Sequence, residues 1–346
     1  MTTSGNPMGT SVAKRGSRWR VKSAYFAIWP ATLALFAISP LVARGSISFG
    51  ALRSALPFAA ILAIVAIGQT LVIQQRGLDL SIPGIVSISA ILVTKIPGGV
   101  DSRVLRAVVI VLLICALAGL VNGLVVTMFG VTPLVATLGV NALLLGTILR
   151  ITSGSQTASA APRLAHFAAA RILGVSTIIW VTILAIGVVT FVLKSTIIGR
   201  RFVAIGTSAP AARAAGIRVR LYQTMTYVIA AIFGGLGGIL LAGYLQTPGL
   251  SSGNEYLLPS IAAVVLGGTS LAGGGGSVLA TAGGALFLTQ LQQVVFGAGA
   301  PLSVQLLIQS VAIALGMALR TVPWKRIMTR FRSSPLPATA ALGTPN

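Results

Sequence analysis

The side chains that carry most acid–base, nucleophilic and metal chemistry are scarce in this sequence. Its 346 residues hold three carboxylates (Asp79, Asp101 and Glu255), one histidine (His166) and one cysteine (Cys115). A metal site needs several nitrogen, oxygen or sulfur ligands converging on one point. General acid–base catalysis needs a positioned donor and acceptor. A lone cysteine allows no internal disulfide and reads as a small buried hydrophobe. His166, with no ligand partner near it in sequence, reads as a surface residue. The inventory argues against an enzyme, and no catalytic residue, metal ligand or directly bound cofactor is assigned. The chemistry left is hydrogen bonding by hydroxyls and amides set in apolar stretches: Gln69, Ser81, Thr137, Asn122, Asn141 and Gln290. Such groups can line a path for a hydroxyl-rich solute, or they can join neighbouring helices.

Four segments concentrate these residues. The first, Arg76-Gly77-Leu78-Asp79-Leu80-Ser81-Ile82-Pro83-Gly84, places a charge, a hydroxyl, proline and glycine between two apolar runs. Asp79 or Ser81 can cap the helix that follows, and Pro83 suits its first turn. The segment reads either as a helix break whose end faces a polar pathway, or as a cap with Asp79 paired to Arg76. The second, Gly119-Leu120-Val121-Asn122-Gly123, offers a small-residue face for close helix approach and a buried amide that needs a partner. The third, Gly267-Gly268-Thr269-Ser270-Leu271-Ala272-Gly273-Gly274-Gly275-Gly276-Ser277, is rich in glycine. No lysine in the chain follows a glycine, so no P-loop exists, and the run reads as a tight turn. The fourth, the basic loop 194–220, contains Arg200, Arg201, Ser208, Arg213 and Gly216. Ser208 as N-cap, Pro210 in the first turn and Gly216 past the end predict a two-turn helix of small residues. That loop fits anionic lipid or a docking partner equally well.

The elements that must position these groups are membrane helices. Hydrophobic types make up 55% of the chain and charged types 8%, against about a quarter charged in soluble domains. Disorder requires the opposite balance. A net charge of +22 could indicate nucleic acid, but the basic residues are dispersed between long apolar runs, so membrane flanks and lipid explain them better. At about 20 residues per crossing, the uncharged runs predict ten spans. They lie over 23–43, 54–75, 80–94, two within 107–149 broken near Pro133, 172–193, 221–254, and three within 256–319 broken at Gly273–Gly276 and Gly297–Pro301. The short run 80–94 spans only with Asp79 capping it and Lys95 snorkelling. Run 23–43 is too long for a signal-peptide core and reads as an uncleaved first span. With both termini cytosolic, 17 Lys and Arg fall inside and 8 outside, the preferred bias. The domain reading is a cytosolic basic segment 1–22, a transmembrane domain 23–320 with the loop 194–220 inside, and a cytosolic tail 321–346. Trp19 and Trp324 fit interfacial anchors.

Taken in order, these segments resemble the permease subunits of ribose-type ABC sugar importers, from about residue 50 to 320. The resemblance rests on Gly77–Ser81, Gly119–Gly123, Pro133–Gly139, Ala211–Ile217 and Ile261–Leu271. It implies an all-α, ten-helix permease in a bacterial inner membrane. It implies a second permease subunit (the same chain or another), a cytosolic ATP-binding subunit that uses the ATP, and an extracytoplasmic sugar-binding protein. It favours docking of the ATPase at Arg200, Arg201, Ser208, Arg213 and Gly216. From residue type and position, Gln69, Asp79, Ser81, Asn122, Thr137 and Asn141 are the candidates along a solute path. Leu257 and Pro259 stand where such permeases commonly carry acids, with Glu255 just upstream, so the solute stays open. An ion-coupled secondary transporter, or an ABC permease for nucleosides or branched-chain amino acids, is the alternative. An ion-coupled porter usually needs titratable groups inside the membrane, and Asp79 is the one candidate.

Overall fold

The computed structural model describes residues 25–155 and 158–301, with scattered positions between 303 and 314. Twelve α-helices occupy most of them: α1 (Ile28–Val42), α2 (Phe49–Gln74), α3 (Ile82–Lys95), α4 (Val104–Thr127), α5 (Pro133–Thr152), α6 (Pro162–Ala169), α7 (Thr177–Ser195), α8 (Ile197–Thr207), α9 (Ala209–Ala214), α10 (Val219–Leu245), α11 (Asn254–Leu266) and α12 (Val278–Gly297). A small hairpin, β1 (Arg171–Ile172) paired with β2 (Val175–Ser176), precedes α7.

Six of these helices, α2, α4, α5, α7, α10 and α12, are long and apolar enough to cross a membrane, and α1, α3 and α11 are shorter apolar helices. The chain is a multi-pass membrane protein. These nine helices fall on nine of the ten expected spans. The tenth, over 301–319, is described at nine of its nineteen positions, while segment 1–22, the tail 321–346, Trp19 and Trp324 lie outside the described residues. Two boundaries differ from expectation. Helix α2 starts five residues early because Ser48 caps it, its hydroxyl accepting from the Ala51 amide at 3.2 Å. Helix α7 starts late because residues 171–176 form the hairpin. The 152–171 loop also holds the short helix α6.

Helix α2 is the axis of the bundle: 89% of its most apolar stretch is buried, against 22% for α5 and α7. Lipid-like apolar surface therefore faces outward on α4, α5 and α7, with Leu113, Leu143 and Leu184 exposed. The second organiser is α10, whose glycines let three helices approach at once. A Cβ at Gly238 would lie 2.3 Å from the Val86 carbonyl oxygen on α3. One at Gly235 would lie 2.7 Å from Cys115 Sγ on α4, and one at Gly237 2.6 Å from Val65 on α2. The Gly119–Gly123 face of α4 meets the same helix, at the Tyr227 carbonyl and at Thr224. In lipid, where apolar surface alone does not drive helices together, such close backbone packing is the main source of association.

Helices α3 and α11 are each shorter than the hydrocarbon core, so a crossing at either also takes up flanking chain. At 14 and 13 residues they span about 21 and 20 Å, against a hydrocarbon core of about 30 Å. Their beginnings meet inside the bundle. The Gly253 amide, at the start of α11, donates to Ser87 Oγ of α3 at 2.9 Å. A Cβ on Gly253 would lie 2.2 Å from the Pro83 carbonyl oxygen.

Candidate functional site

The break between α2 and α3 gathers five of the six residues expected along a solute path. A helix start leaves backbone amides without partners, and burial makes each costly. Here they are answered one by one. Asp79 Oδ1 accepts from the Ser81 amide at 2.8 Å and also from the Ser81 hydroxyl. Thr137 Oγ1 accepts from the Leu80 amide at 3.0 Å, and Asn141 Oδ1 accepts from the Gly84 amide at 2.7 Å. Thr137 and Asn141 stand four apart on α5, so they share one face. Asn122 Nδ2, from the Gly119–Gly123 segment of α4, donates to Ser81 Oγ at 2.9 Å. Asp79, Ser81, Asn122 and Thr137 are buried and Asn141 is half-buried. The arrangement is a network joining α3, α4 and α5, with Asn122 Oδ1 buried and making no hydrogen bond. It corrects the expected Asp79–Arg76 pair: Asp79 turns inward to Ser81, while the Arg76 guanidinium reaches the carbonyls of Gly206 and Thr207.

Gln69 stands apart. It is fully buried on α2, and neither amide atom makes a hydrogen bond. Gln290, by contrast, acts as glue, donating to Ser39 Oγ of α1 at 2.9 Å. Lys95, at the far end of α3, is exposed and donates to the Ile151 carbonyl.

The loop 194–220 carries more structure than its sequence announces. The predicted small helix is present as α9, with Ser208 Oγ accepting from the Ala211 amide at 3.4 Å and Gly216 closing it at φ +77°. Before it stands α8, which the basic, glycine-containing sequence had not revealed. It folds because Thr196 caps it and because Phe202 and Ile205 bury one side. Ala212 of α9 packs with Ile205 and Val219. Arg200, Arg201, Arg213, Arg218 and Arg220 are all exposed, and Ser208 is half-buried. A groove of ≈ 570 Å³ runs between Arg201, Gly216, Arg218 and Tyr222. The surface is cationic, shallow and built on two short helices.

The Gly-rich turn 267–277 connects α11 and α12 as expected, but it is not a free loop. The Gly274 amide donates to the Gln74 carbonyl at 2.9 Å, which ties the turn to the end of α2.

At the opposite end of the bundle lies a cleft that sequence reasoning did not assemble. It measures ≈ 450 Å³, between α2, α11 and α12, and is lined by Phe58, Glu255, Tyr256, Thr289, Gln293 and Phe296 among others. Its polar wall includes Thr289, Gln292 and Gln293, which belong to an amide-rich string, 289–293, inside an otherwise apolar run. That clustering was the available signal. Aromatic faces beside carboxylate and amide groups suit a small hydroxylated solute, which presents both C–H surface and hydroxyls.

A family model described as "Branched-chain amino acid transport system / permease component" matches residues 52–317. Over 291 residues the chain is 32% identical to the ribose import permease protein RbsC of Escherichia coli, covering 83% of this chain and 90% of that protein. Over 264 residues it is 33% identical to the autoinducer 2 import system permease protein LsrC of Escherichia coli, covering 76% of this chain and 77% of that one. No solved structure matches.

Proposed function

Because the chain belongs to this family of branched-chain amino acid transport system permease components, we propose that it forms the membrane pathway of an ABC importer for a monosaccharide or similarly small, hydroxyl-rich solute. It is a transport subunit rather than an enzyme, with ATP hydrolysed by a partner. The observation that carries the solute class is the match, over most of both chains, to permeases named for ribose and for autoinducer 2 import. The partners are a cytosolic ATP-binding subunit, an extracytoplasmic binding protein and a second permease subunit in a bacterial inner membrane. Ten crossings with both termini cytosolic put α8 and α9 in the cytosol and the Glu255 cleft on the outer side, where a solute would arrive.

The cationic groove with Arg200, Arg201, Ser208, Arg213 and Gly216 serves as the ATPase docking face. Small side chains allow close approach, and arginines favour an acidic groove on the partner. Among the pathway residues, Gln69 supplies the unpaired amide that a solute can engage. Asp79, Ser81, Asn122, Thr137 and Asn141 set the helix break that follows α2. Titratable side chains are few along this route, which favours a separate motor over ion coupling.

The test is uptake in proteoliposomes holding the permease, its ATPase and its binding protein, with radiolabelled ribose as the probe and branched-chain amino acids as competitors. ATP-dependent ribose uptake is expected. Uptake that tracks a sodium or proton gradient and ignores ATP would overturn the importer reading. Block by leucine would move the solute to the class the family description prints. Arg213→Glu should strip the ATPase during co-purification while the permease still inserts. Full retention of the ATPase would refute docking at α9.

A further inference from the structure

The end of α2 is built with the wrong residue for its shape. The Arg76 amide donates to the Ile73 carbonyl at 2.9 Å and the Gly77 amide to the Val72 carbonyl at 3.0 Å. This is the paired bond pattern that ends a helix through one left-handed residue, a position glycine normally fills. Here Arg76 occupies it at φ +65°, although Gly77 stands next in the chain. Backbone strain of this kind persists where the side chain is needed.

The side chain of Arg76 closes the C-terminal end of α8. Its Nε donates to the Gly206 carbonyl at 3.1 Å and a terminal nitrogen donates to the Thr207 carbonyl. A cation suits the negative end of a helix and satisfies carbonyls that have no partner within it. The two preceding residues grip the same helix. Gln75 Nε2 donates to the Phe202 carbonyl at 2.8 Å, and a Cβ on Gly206 would lie 2.3 Å from the Gln74 carbonyl oxygen. The Gly-rich turn locks in from the other side, since a Cβ on Gly273 would strike Arg76 Cγ at 2.3 Å. One residue past α8 begins α9. One residue past Arg76 begins the Gly77–Ser81 break that leads into α3.

The joint is also incompletely paired. Gln74 Nε2, Gln75 Oε1 and Thr269 Oγ1 are buried and make no hydrogen bond. Two of them, Gln74 Nε2 and Thr269 Oγ1, border Gly276, within 2.3 and 2.8 Å of a Cβ placed there. A tight joint that leaves several buried polar groups unsatisfied holds bonds in reserve for a second arrangement.

We infer that Arg76 is the positioning residue that carries movement of the α8–α9 docking helices into the α2–α3 break, so that closure of the ATPase pulls on the start of α3. This rests on the proposed docking at α9. The Gly-rich turn acts as its backing plate. Arg76 touches no solute on this reading; it acts through α8 and the break.

The experiment uses the complete importer in lipid, with spin labels at Val100→Cys, just beyond α3, and Leu173→Cys, on the β1–β2 hairpin. Distances are compared without nucleotide and after trapping with ATP and vanadate. Arg76→Gly places at this position the residue the turn prefers, so the fold and the bound ATPase should be kept. The vanadate-induced distance shift seen in the parent should be lost, and ribose uptake with it, while ATP hydrolysis continues. Arg76→Lys keeps one charged donor without the fork and should retain part of the shift. A full shift in Arg76→Gly, or no shift in the parent, overturns the inference. Loss of the ATPase from Arg76→Gly alone would make Arg76 a docking support, which also overturns it. Failure of the parent itself to retain an ATPase would instead refute the docking reading beneath it.

Discussion

Asn141 shows how a polar residue in a membrane helix can be seen in sequence and still be misread. Its presence in an apolar run marked it as important, and a solute contact was one natural reading. In the structure it stands in for the helix's own missing cap, accepting from the Gly84 amide at 2.7 Å. Glycine at 84 makes this possible, since a Cβ there would lie 3.0 Å from Asn141 Oδ1 and 2.8 Å from Leu144 Cβ. Asn141→Leu should lower stability by about 1–3 kcal/mol, the cost of a buried amide left alone, read as a drop in the thermal midpoint of the purified permease. Asn141→Asp keeps the acceptor beside a positive helix end and should recover most of it. Equal midpoints for the leucine and aspartate variants would refute the capping role. Arg76 was legible as a charge at a break, but not its partners. Asp79 is three residues away, whereas the carbonyls it reaches are some 130 residues on, and local spacing carries no trace of a contact that distant.

At the scale of elements, apolar periodicity and charge gaps located the spans because lipid imposes length and composition so strictly. Helix α8 escaped because its residues obey no such rule. It is short, basic and half exposed, and it is a helix mainly by virtue of what Phe202 and Ile205 pack against. The Gly119–Gly123 face was legible from its spacing, and its partner on α10 was not. A side chain larger than glycine at 119 must push against the Tyr227 backbone, where a Cβ would sit 2.5 Å from the carbonyl oxygen. Gly119→Val should therefore destabilise by about 1–3 kcal/mol or more through overpacking. The exposed neighbour variant Leu117→Val should change little, because Leu117 lies on the outward face. Paired denaturation curves of the two variants decide this.

For the molecule as a whole, the inventory of side chains pointed to a membrane transporter, and the ordered motifs pointed to the permease family. The residues that line a path were less legible, because a hydroxyl that meets a solute and one that meets a carbonyl look alike in sequence. Sidedness can be tested directly. The hairpin tip Leu173 is 88% exposed, Arg213 is exposed at the other end, and the one native cysteine, Cys115, is buried. A membrane-impermeant maleimide added to intact cells should label Leu173→Cys and spare Arg213→Cys, and inside-out vesicles should reverse the pattern. The opposite result would place the arginine-rich groove where no motor can reach it. A last consequence is electrical. The opening turns of α3 and α11 abut within the bundle, and each helix start carries roughly half a positive charge. The Asp79 carboxylate, held against Ser81, offsets only part of that field. Sodium or hydronium approaching that spot would meet a repulsive backbone potential, a barrier that an uncharged molecule would not feel.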